Sequence, residues 1–122
     1  DRVDADILTI EEHHRFYRQG EQLCQRLGAR LLRDYQGTSL DALRHMVVMG
    51  MGHAFLPALY VLSEIHDQSQ LRVTDIVSEP VVRAHALAWR SASPSRAFFQ
   101  RLAMDMRTIL RHRLGHVVTT IE

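Results

Sequence analysis

Cysteine occurs once in this 122-residue chain, at Cys24, and neither lysine nor asparagine occurs at all. A lone thiol leaves no intrachain disulfide to staple these residues, and such usage fits a reducing cytoplasm. With lysine missing, all 15 basic residues are arginine; against 14 acids they leave a net charge of +1. Neutralising many phosphates needs clustered cations, and only a loose group exists, Arg107, Arg111 and Arg113, near the end of a predicted helix. There cations meet the negative end of the helix dipole, so a solvated helix end accounts for them. A long apolar run is missing too. The most apolar stretch, residues 46–62, is broken by Gly50, Gly52, His53 and Pro57 and cannot be one membrane-spanning helix. No charged segment followed by an apolar run opens the chain, so no signal peptide is visible. G-x-S-x-G elbows, Walker loops and G-x-G-x-x-G turns are absent. Gly50-Met51-Gly52 follows a helix, whereas a nucleotide site wants its glycines before one. An enzyme has no motif behind it.

What is present is ordinary for one soluble domain: 46% apolar and 24% charged residues. The chain starts at Asp1 rather than Met, which reads as a piece of a longer protein. DILTI, at the start, is short and β-branched and reads as a buried strand. Residues 12–27 read as a helix with Phe16, Gly20, Leu23 and Leu27 on one face, stopped by Gly28. Residues 29–35 form a second extended segment with Leu31, Leu32 and Tyr35 as its apolar content. Thr38-Ser39-Leu40-Asp41 then resembles a capping box, a hydroxyl followed three residues later by an acid. Leu40, Leu43, Met46 and Val47 share one face of the helix it opens, which ends at Gly50. Residues 54–56 read as a short buried strand ended by Pro57, and 58–65 as one or two helical turns. Residues 71–76 and 83–89 alternate as strands do. Ser93-Pro94 starts a last helix, running to about Leu114, with Phe98, Phe99, Leu102, Met106, Ile109 and Leu110 on one face. Strands alternating with helices predict an α/β domain with a largely parallel sheet.

Eight histidines invite a metal reading. None sits in an HxxxH, HExxH or Cys/His arrangement, apart from His112 and His116 at the fraying end of the last helix. His13 and His14, if helical, point about 100° apart. The expectation is therefore no metal and no cofactor. Cys24 falls late in a helix beside its apolar face, where burial disfavours the thiolate, so a structural role is expected.

The segment LDALRHMVVMGMGHAFLPALYV, residues 40–61, carries a pattern of a different kind. It resembles the effector domains of LysR-type transcription regulators, in which a helix opened by Ser-Leu runs into L-x-x-V-x-x-G-x-G-x-x-x-L-P. Ser39 and Leu40 match the opening, Leu43, Met46 and Val47 the core face, and Gly50, Gly52, Leu56 and Pro57 the end. LAWRSASPSRAFFQRLAMDMRTIL is similar to the returning strand, Ser-Pro turn and final helix of that family. EEHHRFYRQGEQLC, residues 11–24, resembles the redox segment of its OxyR-like, peroxide-responsive branch, and Glu79-Pro80 with Arg83 also fits.

The resemblance implies a periplasmic-binding-protein-like (type 2) fold of two α/β subdomains, here a fragment lacking most of the first. Residues 1–78 would belong to the second subdomain, and 79–122 would return to the first. In the redox segment a peroxide-reacting cysteine ordinarily follows a histidine, with a resolving cysteine nine residues later. Here His14 keeps the histidine and Cys24 the resolving position, while Arg15 stands where the reactive cysteine would be. Arginine cannot form a sulfenic acid, so the implied signal is something other than disulfide formation. His14, Arg15, Thr38 and Ser39, with Arg83, are the expected ligand-binding residues, for a small polar or anionic effector. The implied partners are that effector, further copies of the chain as a dimer or tetramer, and DNA only through a helix-turn-helix outside these residues. No membrane is implied, and the location is cytoplasmic. A solute-binding protein of the same fold is the alternative reading.

Overall fold

The computed structural model describes residues 5–76 and 81–121. Six elements follow one another: β1 (Asp6–Ile10), α1 (Arg15–Leu27), β2 (Arg30–Gly37), α2 (Leu40–Val48), α3 (Ala58–Glu64) and α4 (Arg96–Leu114). The chain divides into two compact units, one ending at Val81 and one beginning at Val82. Expectations resting on Glu79-Pro80 lie outside the described residues.

In the first unit, β1 and β2 pair in parallel, with α1 as the crossover between them. On its other side β1 meets His53: the Leu8 N–H donates to the His53 carbonyl at 2.7 Å and the His53 N–H to the Asp6 carbonyl at 2.9 Å. The central strand is therefore the most apolar one. Ile7, Leu8, Thr9 and Ile10 are all buried, as a strand covered on both faces must be. Leu8, Ile10, Tyr17 and Leu43 form the core cluster, and Leu31, Leu32, Leu40, Met46 and Val47 pack on it half-buried. The apolar stripe expected on the second helix is thus the one it buries.

Register breaks once. Leu8 pairs with Leu32, but Thr9 pairs with Gln36, so residues 33–35 are looped out of β2. Tyr35, expected among the apolar residues of this strand, is consequently 63% exposed. Arg33 uses the bulge to reach α1, donating to the Tyr17 hydroxyl at 2.7 Å and to Glu21 at 3.0 Å.

Gly50 closes α2 through a Schellman pair. Its N–H donates to the Val47 carbonyl at 2.9 Å and the Met51 N–H to the Met46 carbonyl at 3.1 Å, with φ +79 at Gly50. Gly52 serves a different need. A Cβ there would lie 3.1 Å from the Asp6 carbonyl oxygen, so a side chain would press on the backbone that pairs with His53 and force it to give by a few tenths of an ångström.

Three strand expectations change. Residues 54–56 contribute no ladder; the contact shrinks to the single bridge at His53. Residues 71–76 and 83–89 are irregular, and Ala84, Ala86 and Ala88 are exposed. Alternation makes a strand only when a neighbouring strand supplies the hydrogen-bond ladder, and none does among the described residues. In the second unit α4 ends at Leu114 as expected but opens only at Arg96. Ser93 instead caps the preceding turn, its hydroxyl accepting from the Ser95 N–H at 3.2 Å. No residue of α4 is buried, and Phe98, Met106 and Ile109 of its predicted apolar face are exposed.

Candidate functional site

Because β1 and β2 are parallel, their carboxyl ends lie at one edge of the sheet, and each feeds a helix. In open α/β folds that edge is where ligands bind, since loops and helix N-termini converge there. The loop after β1 is the turn Glu11–His14 and the loop after β2 is Thr38-Ser39. A backbone bond joins them: the Glu11 N–H donates to the Gly37 carbonyl at 3.0 Å. Four of the five expected ligand residues therefore meet at this edge. Arg83 belongs to the second unit.

His14 is the N-cap residue of α1, with extended backbone at φ −78 and ψ 136, and its side chain caps no N–H. The first turn of α1 holds no acid, and its first residue is the exposed Arg15. A cation there opposes the positive end of the helix dipole, an arrangement that an arriving anion relieves. At α2 the cap is Ser39, one residue later than the capping-box pattern suggested. Its Oγ accepts from the Ala42 N–H at 3.1 Å, while Thr38 is exposed. The acid of the expected box, Asp41, does not reach back. It accepts a hydrogen bond from the Tyr60 hydroxyl of α3. Burial, with that bond second, pushes the Tyr60 hydroxyl up to about 12.

The expected residues line neither of the two described cavities. A small internal one of about 10 Å³ sits in the core beside Thr9 and Tyr17. A cleft of about 310 Å³ runs between Arg44, His45, Glu64 and His66. The edge bearing Arg15 and Ser39 is open surface in this unit taken alone.

Cys24 is 3% exposed in the last turns of α1. Burial, with the charge of Glu21 second, pushes its thiol above the ordinary 9.0. Nine residues of continuous helix separate it from Arg15, an axial rise of roughly 13 Å. Disulfide-linked Cα atoms lie within about 7 Å, so positions 15 and 24 cannot be bridged while α1 is intact.

Sequence reasoning missed two things here. His13 and His14 were expected on divergent helix faces, but α1 begins only at Arg15, and both histidines lie in the preceding turn. Their ring centroids are 4.3 Å apart. His13 Nδ1 lies 3.5 Å from Glu11 Oε2, and one ligand-type atom from each of Glu11, His13 and His14 falls within 4.8 Å of the others. The second omission is the Tyr17–Glu21–Arg33 network, of which only the i,i+4 pair was legible in one dimension.

Comparison with known proteins adds the family. A model described as the LysR substrate binding domain matches residues 2–107. The hydrogen peroxide-inducible genes activator of Pectobacterium carotovorum is 33% identical over 119 residues, covering 98% of this chain and 38% of that protein. The Haemophilus influenzae activator of the same name is 33% identical over 98 residues, 80% of this chain and 32% of its own length. The Escherichia coli K12 DNA-binding transcriptional dual regulator OxyR is 33% identical over 107 residues, 88% of this chain and 35% of that protein. The chain thus spans about a third of the length of these relatives. No solved structure gives a significant match. Among the described residues no helix is long and apolar enough to cross a membrane. The chain belongs to the LysR substrate-binding domain family, a periplasmic-binding-protein-like type 2 fold, and within it is similar to the OxyR-like regulators.

Proposed function

We propose that this chain is the effector-sensing and oligomerisation region of a cytoplasmic, OxyR-like LysR-type transcription regulator that responds to a small polar or anionic ligand. Disulfide formation between positions 15 and 24 is not its signal. Residues 1–78 form part of the second effector-binding subdomain, and 79–122 carry the return to the first. DNA is bound through a helix-turn-helix outside these residues. The relatives' description as activators and DNA-binding regulators supports a regulator over a solute-binding protein.

One observation carries the ligand reading. Arg15 stands at the start of α1, where the His14 side chain makes no cap bond, at the sheet edge where Thr38 and Ser39 open α2. The positive ends of two helix dipoles, two hydroxyls and a guanidinium with five donors suit a carboxylate or similar anion. His14 adds a donor or acceptor, and Arg83 is the candidate from the second unit. The experiment is a thermal-shift ligand screen on the intact regulator, followed by Arg15→Ala and Ser39→Gly. Glycine retains most of the N-cap preference, so the second variant reports on the hydroxyl rather than on helix stability. Losing a charged hydrogen bond to a bound ligand costs about 1.5–3 kcal/mol, roughly ten- to a hundredfold in affinity. A neutral apolar effector bound equally well by both variants refutes the site.

A further inference from the structure

We propose that the turn Glu11, His13 and His14 is a binding site for a divalent transition-metal ion of the zinc class, with three protein ligands and one position left open. The inference rests on the geometry of this turn and not on the effector reading. Three of four consecutive residues, Glu11, His13 and His14, supply one carboxylate and two imidazoles whose donor atoms all lie within 4.8 Å of one another. Two ligands on a tetrahedral zinc, with bonds of 2.0–2.1 Å, lie roughly 3.3 Å apart. Glu11 Oε2 and His13 Nδ1, at 3.5 Å, already stand at nearly that separation. The His14 donor atom lies within 4.8 Å of both, so it needs at most about 1.5 Å of movement, within reach of side-chain rotation.

Chemistry narrows the ion. Two imidazoles and a carboxylate suit zinc, copper, nickel or ferrous iron, whereas magnesium and calcium prefer all-oxygen shells. Three protein ligands plus an exchangeable fourth is the pattern of an open zinc site rather than a closed structural one. The turn is also held in place before any ion arrives. The Glu11 N–H is bonded to Gly37, the His14 N–H to the Glu11 carbonyl at 3.1 Å, and the Tyr17 N–H to the His14 carbonyl at 3.0 Å. Less ordering entropy then remains to be lost on binding. His13 is exposed, and Glu11 and His14 are half-buried, so an ion has a path in. An anion on the open position would lie beside the start of α1.

The test is a zinc titration of the intact regulator, tag removed and stripped with chelator, in competition with a chromogenic chelator and without effector. The expected result is one zinc per chain assigned to this turn. His13→Ala and His14→Ala each weaken it tenfold or more, and Glu11→Gln weakens it measurably. His112→Ala, on α4, leaves it unchanged. Cobalt(II) in place of zinc gives the intense visible bands of a tetrahedral site, and these disappear in His13→Ala. His13→Gln, at an exposed position, repeats the measurement with a variant whose apo-protein melts as wild type does. Absence of stoichiometric zinc overturns the proposal. So does wild-type zinc affinity in the His13→Ala/His14→Ala double variant, which would place the ion elsewhere. Because no effector is present, failure here leaves the Arg15 and Ser39 reading standing, and the converse also holds.

Discussion

At Cys24 two effects point the same way. The side chain is buried, and burial raises the thiol's pKa, so neither access nor thiolate is available near neutral pH. Reaction with Ellman's reagent should therefore wait on opening of α1, and labelling of the folded protein at pH 8 should be more than about tenfold slower than in urea. Comparable rates would place the thiol at the surface. Thr9 makes the opposite case, of a polar group buried at a cost. Its hydroxyl is buried without a hydrogen-bond partner beside the small core cavity. A buried unsatisfied group costs about 1–3 kcal/mol, and valine has nearly the same shape. Thr9→Val should raise stability by about 1 kcal/mol in urea melts; a loss would mean that the hydroxyl is bonded. Cys24 was legible in the sequence, because its helical spacing put it beside an apolar face. The fate of the Thr9 hydroxyl was not, because it depends on what α1 and α2 place around the strand.

Elements were legible where one dimension suffices. The apolar stripe Leu40, Leu43, Met46 and Val47 predicted the face α2 buries, and Leu43 is 1% exposed. Leu43→Ala should cost about 2–5 kcal/mol. The start of that helix was displaced by one residue, since Thr38 and Ser39 are both competent caps in sequence. The backbone chooses between them: Ser39 is extended at φ −153 and ψ 170 and its Oγ meets the Ala42 N–H. Ser39→Ala should therefore destabilise by about 1 kcal/mol and Thr38→Ala by less than about 0.5 kcal/mol, measured as shifts of the urea midpoint. The reverse order would restore the capping box. The turn at 11–14 was illegible for a related reason: Glu12, His13 and His14 all tolerate a helix. Its backbone bond to Gly37, 26 residues away, is a tertiary choice. His14, Arg15, Thr38 and Ser39 thus fall at one edge of the sheet, while the geometry of the two histidines was not legible in the sequence.

For the whole molecule, the resemblance in residues 40–61 carried the family, but strand alternation in 71–76 and 83–89 found no partners among the described residues. The second unit is one long helix with its irregular lead-in, and Phe98, Met104 and Ile109 are 62%, 64% and 55% exposed. Apolar surface of that kind is covered by another chain or drives association. The isolated 122-residue piece should self-associate, and light scattering should report a mass well above its 14.1 kDa at tens of micromolar; a well-behaved monomer would contradict this. We propose that an effector is read at the carboxyl edge of the β1–β2 sheet. This reading is tested most directly by hydrogen exchange of the intact regulator, with and without the ligand returned by the thermal-shift screen. Protection concentrated in peptides covering residues 11–17 and 38–43, and lost in Arg15→Ala, is the predicted result. Unchanged exchange in both peptides, with protection confined elsewhere, would contradict it.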